Sequence, residues 1–244
     1  MRSAAKPRTT ASQINGLAYY RHLLANRPHL LENLDSLAVI VPHHRGEEIC
    51  SQGQPVEYWY LVIAGAARRC ALRPDGRRQI VDLLLPGDFC GFAIGEEWDV
   101  TIEAVAEGTV MAAYPRRRIE TLADSEPKIA REIRQLAFTA LSRMQAQLLI
   151  LGRITALEKV GSFILEMAAR LSDGGSDRVA LPVSRYDIAD YLGVSVETVS
   201  RSLSDLKQRG AIKLLGTRMV SIVDRDALEE GERNEAKYEA RYHA

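Results

Sequence analysis

Cysteine is scarce in this sequence: three among 244 residues, Cys50, Cys70 and Cys90, spaced twenty apart. No disulfide framework can be built from them, and their isolation suits a reducing cytoplasm. A run of about 18 apolar residues is also missing, so no segment is expected to span a membrane. The opening stretch, Met1 to Ser12, is polar and basic with no apolar segment behind it. It reads as a loose tail rather than a secretory signal. Excess charge of one sign is absent, with 32 basic against 32 acidic residues, a global balance that argues against a nucleic-acid binder unless positive charge is concentrated locally. Internal repeats and low-complexity tracts are lacking. So are a metal-ligand cluster, a nucleophile–base motif and a phosphate-cradling loop, which leaves an enzyme reading poor and no metal or cofactor expected. What remains, 46% apolar and 26% charged, is the balance of a globular protein with room for two modest domains.

Three regions separate by periodicity. After a tail over 1–16, the segment Leu17 to Val39 reads as one or two helices. From about His43 to Tyr114, short β-prone runs alternate with glycines. Tyr58 to Ile63, Gln79 to Leu84 and Val100 to Val105 are examples, with turn signals at Arg73–Arg77 and Pro86-Gly-Asp88. Many short strands at such spacing indicate a small β-barrel or sandwich, here assigned to 17–125 with its flanking helices. Residues 126–152 then read as one long helix with Pro127 in its first turn. Ile133, Ala137, Ala140, Met144, Gln147 and Leu151 recur at alternating steps of four and three, widened by Leu136, Leu141 and Leu148. This stripe suits packing on the protein's own barrel or a two-fold seam. The helix's length favours the seam, and hence a homodimer. The domain boundary is expected near Gly152 and Arg153, with a second domain over 153–230 and a tail over 231–244. The fold class is α+β.

The informative stretch runs from Ser184 to Gly210. Ile188, Leu192, Val194, Val199 and Leu203 would form the shared core of two helices meeting at a steep angle. Ala189 is small where the second helix crosses, Gly193 allows the chain to reverse, and Ser195 stands where an N-cap is needed. Ala, Gly four later and Val ten later is helix-turn-helix spacing. Beyond Gly210, Ile212–Leu215 and Met219–Val223 flank Gly216-Thr-Arg218, a hairpin with a basic tip, so the motif is a winged helix. Charge concentrates here: from Val196 to Arg218 there are five basic residues, Arg201, Lys207, Arg209, Lys213 and Arg218, against two acidic ones, Glu197 and Asp205. With Val199 and Leu203 inward, Val196, Glu197, Ser200 and Arg201 fall on the outward, N-terminal face that would enter a major groove. Arg201 can donate twice to guanine, Glu197 can accept from cytosine, and Val196 can meet a thymine methyl. Glu197 and Arg201, four apart, also fit a plain surface ion pair. Ser195, Thr198, Lys207 and Arg218 are candidates for the DNA backbone.

These residues resemble the CRP/FNR superfamily, and within it the FixK and FNR branch, over roughly Val39 to Leu228. The likeness rests on the spaced glycines and Pro86-Gly-Asp88, on Leu151-Gly-Arg-Ile-Thr-Ala-Leu-Glu-Lys-Val160, and on Val196-Glu-Thr-Val-Ser-Arg201. It implies a cyclic-nucleotide-binding-like barrel, a dimerisation helix and a C-terminal winged helix. It also implies a palindrome like TTGAT-N4-ATCAA, and transcription activation by recruiting RNA polymerase in low-oxygen respiration or nitrogen fixation. Departures from the family bear on sensing. Phe92 stands where a nucleotide-binding glutamate is expected, and Asp99-Val100 where an arginine would clamp phosphate, so cyclic AMP binding is not expected. Cysteines this scattered, none before Cys50, do not suit an iron–sulfur cluster. FixK, without a cofactor, is the nearest pattern. The competing expectation is a gated regulator whose barrel binds a small molecule or haem, or uses a reactive cysteine. Against it, the cysteines read as buried strand residues, and His43 and His44, being adjacent, would point to opposite faces of a strand. Arg116-Arg-Arg118 reads as a solvated turn between barrel and helix.

Overall fold

The computed structural model describes residues 32–73, 76, 78–93, 95–171 and 177–229. The two expected tails and most of the expected helical stretch 17–39 lie outside the described residues. The part that is described forms a 3-10 turn, Glu32–Leu37, and then enters a strand at Val39 rather than continuing as helix. Two compact units divide the chain, Met1–Gln145 and Ala146–Ala244. The division falls inside the long helix, ahead of the boundary expected at Gly152 and Arg153.

Among the described residues, eight strands make up the sheets of the first unit: β1 (Val39–His43), β2 (Glu48–Cys50), β3 (Tyr58–Ala64), β4 (Ala67–Leu72), β5 (Arg78–Leu84), β6 (Phe89–Cys90), β7 (Thr101–Ala104) and β8 (Thr109–Pro115). They form two antiparallel sheets, ordered β1-β8-β3-β6 and β2-β7-β4-β5. In β8 every residue from Thr109 to Tyr114 is buried, where a half-exposed strand would alternate. The strand is central in its sheet, between β1 and β3, and both its faces are covered. The common core extends beyond the strands to Leu34, Ile119, Ile129 and Leu136, so the helices flanking the sheets are part of it. Each such side chain contributes roughly 1.5–3 kcal/mol on burial. Gly91 sits at φ 144°, and a Cβ there would lie 2.3 Å from the Trp59 ring, so only glycine lets the chain pass.

Helix α1 (Arg116–Ser125) follows β8 directly. The arginine triplet therefore opens a helix and is not a turn. Arg116 is held there, its Nε donating to Glu120 Oε1 at 2.7 Å and its Nη1 to the Gly95 carbonyl at 3.0 Å. Helix α2 (Pro127–Leu151) begins at the expected proline.

The second unit contains α3 (Ala156–Leu171), β9 (Arg178–Ala180), α4 (Arg185–Leu192), α5 (Val196–Gln208), β10 (Ile212–Leu214), β11 (Met219–Ile222) and α6 (Arg225–Glu229). Its sheet is ordered β10-β11-β9 and antiparallel throughout. Phe163 of α3 meets Tyr191 of α4 edge-on at 5.6 Å, and the Tyr191 hydroxyl donates to Glu166 Oε2 at 3.3 Å. An aromatic with a polar tip thus seals this core and satisfies its own donor.

Candidate nucleic-acid interface

Two short helices carry the site, and side-chain caps define where each begins. The Ser184 hydroxyl accepts from the Asp187 backbone N–H at 3.2 Å, and Asp187 Oδ2 accepts from the Ser184 N–H at 2.9 Å. This reciprocal capping box starts α4. Gly193 ends that helix in the left-handed region at φ 66°, which reverses the chain at little strain. Three residues later α5 begins, with the Ser195 hydroxyl accepting from the Thr198 N–H at 3.1 Å. Ile188, Ala189, Leu192, Val199 and Leu203 are all buried, and Val194 is half-buried beneath the turn. Four of the five residues expected from spacing, Ile188, Leu192, Val199 and Leu203, are thus in the core, and Ser202 and Leu206 join them.

With Val199, Ser202, Leu203 and Leu206 inward, α5 turns its other face to solvent. Glu197 and Arg201 are exposed, Val196 and Ser200 half-buried beside them, so all four expected base readers share one accessible N-terminal face. Of the backbone candidates, Ser195 and Lys207 are exposed and Thr198 and Arg218 half-buried. Ser195 and Thr198 already serve each other as cap and capped, with their hydroxyls 2.9 Å apart. The Glu197 carboxyl is held below the usual carboxylate range. Its own backbone N–H at the helix start is the main cause, then the Ser195 hydroxyl, with the Arg201 charge adding to it. It stays ionised, and acts as an acceptor only, at neutral pH. The hairpin of β10 and β11 closes with the Leu215 N–H donating to the Met219 carbonyl at 2.9 Å, so the expected wing is present with Arg218 at its tip.

Three features of this unit escaped the sequence reading. Strand β9 adds a third member to the wing sheet, α6 follows it, and Arg185 Nη1 donates to the Ser200 hydroxyl at 3.2 Å. Strand β9 has three residues, too few for a period-two pattern to register. Arg185 follows the Ser184 cap directly, and no local pattern marks its contact with Ser200 fifteen residues on.

Comparison with known proteins agrees with this geometry. A Crp-like helix-turn-helix domain matches residues 158–230, and a cyclic nucleotide-binding domain matches residues 40–126. The nitrogen fixation regulation protein FixK of Azorhizobium caulinodans is 42% identical over 187 residues, 75% of either chain. The chain belongs to the CRP/FNR family of transcription regulators. A second FixK, from Rhizobium meliloti, is 38% identical over 78% of this chain and 85% of its own. The solved structure of FixK2 from Bradyrhizobium japonicum is 38% identical with a TM-score of 0.73, covering 79% of this chain and 96% of that one. The relatives are regulators, not enzymes, and the α+β architecture of barrel and winged helix is that of the family.

The cyclic nucleotide-binding domain also holds Phe92, Asp99 and Val100, the residues expected to depart from a nucleotide site. Phe92 packs into an aromatic cluster, 5.5 Å from Trp59 and 5.3 Å from Phe89, with Phe89 edge-on to Trp59 at 5.7 Å. Val100 is buried, and Asp99 lies 3.9 Å from Arg69 Nη2. Arg143 of α2 reaches the first unit's sheet. Its Nε and Nη2 donate to Asp82 at 3.2 and 2.9 Å, and its Nη1 donates to Asp88 at 3.0 Å. Asp88 is the aspartate of the Pro-Gly-Asp turn, and its other oxygen accepts from the Leu85 N–H. Burial alone would push the guanidinium's pKa down. The two carboxylates outweigh that and raise it.

Along α2 the expected seam residues differ in burial. Of Ile133, Ala137, Ala140, Met144, Gln147 and Leu151, only Met144 is exposed. Ile133 packs on the barrel core with Leu136, Gln147 is buried, and Ala137, Ala140 and Leu151 are half-buried. The exposed apolar side chains are Phe138, Leu141, Met144, Leu148 and Leu149, with Leu148 67% exposed. Both faces repeat at steps of three and four, so periodicity alone does not separate them.

All three cysteines are free and buried. Burial pushes the Cys90 thiol up to about 12 and raises Cys50 as well. His43 is buried with Nδ1 3.0 Å from Glu47 Oε1, whereas the His44 side chain is exposed. Among the described residues no group of three His, Cys, Asp or Glu is placed to hold a metal ion, and no helix is long and apolar enough to cross a membrane.

Proposed function

We propose that this protein binds, as a homodimer, a two-fold palindrome of the TTGAT-N4-ATCAA type. In this reading it activates transcription by recruiting RNA polymerase, without a cyclic nucleotide or an iron–sulfur cluster. The observation that carries the reading is the shared solvent face of Val196, Glu197, Ser200 and Arg201 on a capped helix whose other side is fully packed. Two such helices, one per protomer, would read half-sites about one helical turn apart. Arg201 would donate to guanine O6 and N7 and Glu197 would accept from cytosine N4. Ser195, Thr198, Lys207 and Arg218 would contact phosphates, the last from the wing.

Dimerisation is assigned to the exposed face of α2, with Leu141, Met144 and Leu148 at steps of three and four, Phe138 beside them and the half-buried Ala137 at its edge. Independence from a nucleotide is supported by Phe92 in its aromatic cluster and by an acidic Asp99 that would repel phosphate. Buried thiols with raised pKa values argue against a redox gate, since thiolate is the reactive form. The names of the FixK relatives, nitrogen fixation regulation proteins, support control of nitrogen fixation.

The test is fluorescence anisotropy of aerobic, ligand-free protein on the palindrome and on a scrambled duplex. Selective binding that weakens with salt is expected. Arg201→Ala should lose about 1–3 kcal/mol and relax preference at its guanine. Equal binding of both duplexes, or an Arg201→Ala protein as tight as wild type, removes the assignment.

A further inference from the structure

The hydrogen bond from Arg185 to Ser200 joins the first residue of α4 to the middle of the base-reading face of α5. A guanidinium has five N–H donors and no acceptor. The Ser200 oxygen must therefore offer Arg185 a lone pair, and its own O–H is turned elsewhere. The backbone of Ser200 is engaged separately, its carbonyl accepting from the Ser204 hydroxyl at 3.0 Å. Taken alone, a serine hydroxyl is ambiguous, able to donate to or accept from a base edge. Beside a fixed cation it loses that ambiguity, because the bond polarises the O–H as a donor and the charge disfavours an incoming N–H.

We propose that Arg185 is a specificity-determining positioning residue: it sets Ser200 as a hydrogen-bond donor. Ser200 then selects a base edge rich in acceptors, such as thymine O4, guanine O6 and N7 or adenine N7, and disfavours the exocyclic amine of cytosine. The inference rests on the base-reading face proposed above. It adds that one reader's preference is set from the other helix, by a residue that need not touch the base.

The experiment uses full-length protein in anisotropy titrations on a panel of palindromes, each changed symmetrically at one position of the half-site. Wild type, Ser200→Ala, Arg185→Ala, Arg185→Lys and the Arg185→Ala/Ser200→Ala double variant are compared. Thermal melting of each identifies any that do not fold, and Arg185→Lys keeps the charge if the alanine variant fails. Ser200→Ala should relax discrimination at one base pair, roughly three- to tenfold, the range of a single hydrogen bond. Arg185→Ala should relax the same base pair, and the double variant should add little there. A Ser200→Ala change at one position with an Arg185→Ala loss that is uniform over all sequences, and a salt slope reduced by about one per half-site, makes Arg185 a phosphate contact and overturns the proposal. A Ser200→Ala protein unchanged at every position overturns it too, and takes Ser200 out of the base-reading face.

Discussion

Replacing Arg143 with leucine removes three charge-assisted hydrogen bonds at once, two to Asp82 and one to Asp88. The side chains of Arg143, Asp82 and Asp88 are 9%, 3% and 9% exposed, so solvent cannot replace what is lost. Removing one partner from such a site typically costs about 3–5 kcal/mol, most of it the burden of carboxylates left buried. Two residual contacts soften the loss. Arg69 Nη1 stays 3.8 Å from Asp82, and the Leu85 N–H still donates to Asp88. The expected cost is therefore near the low end, about 3 kcal/mol. For a unit of this size that lowers the melting temperature by roughly 6–12 °C. Adding Asp82→Asn, which removes one of the stranded charges, should recover part of the loss, because the two sites share an interaction and are not additive. The assay is thermal and urea unfolding of wild type, both single variants and the double variant. A melting temperature for Arg143→Leu within about 2 °C of wild type, or strict additivity with Asp82→Asn, would refute the claim that this cluster ties α2 to the sheet.

Placing a charge on the exposed face of α2 should break the proposed dimer: Leu148→Glu is expected to sediment as a monomer, whereas Gln147→Ala, at a buried position, should lose stability and sediment as wild type does. The raised thiol of Cys90 has a pH signature. A folded pKa above the ordinary value near 9 means its contribution to stability is complete below that value and declines as pH climbs from about 9 towards about 12. Wild type should accordingly lose stability faster than Cys90→Val between pH 9 and 11, and identical slopes in urea titrations would contradict this. Gly91→Ala should destabilise by more than about 1 kcal/mol, from the clash with Trp59 together with the positive φ. Isothermal titration of wild type with cyclic AMP should give no heat of binding, and a micromolar site would contradict the reading of Phe92 and Asp99.

Much of the DNA-reading unit was legible because its information is local. Ser184 with Asp187, Gly193 and Ser195 are capping and turn signals whose meaning is settled within four residues, and the apolar spacing from Ile188 to Leu203 leaves one way to pack two short helices. The same locality exposed Val196, Glu197, Ser200 and Arg201 as one face. The strands at Tyr58, Gln79 and Val100 could likewise be read from their β-branched and aromatic content between turns.

Other questions depended on residues brought together from far apart in the chain. Apolar repeats on α2 mark two adjacent faces with the same period, and only packing against the sheets decided that Ile133 and Leu136 turn inward while Leu141 and Leu148 stay exposed. Arg143 is 61 positions from Asp82 and 55 from Asp88, a pairing no local pattern encodes. Arg185 and Ser200 meet because two helices cross, and the donor role inferred for Ser200 follows from that crossing. Local pattern was enough for the longer elements and their caps, though not for β9, α6 or the helix opened by Arg116. Which face each element turns outward, and which charge stands beside which, was decided by tertiary structure, because burial and charge pairing are properties of neighbours in space.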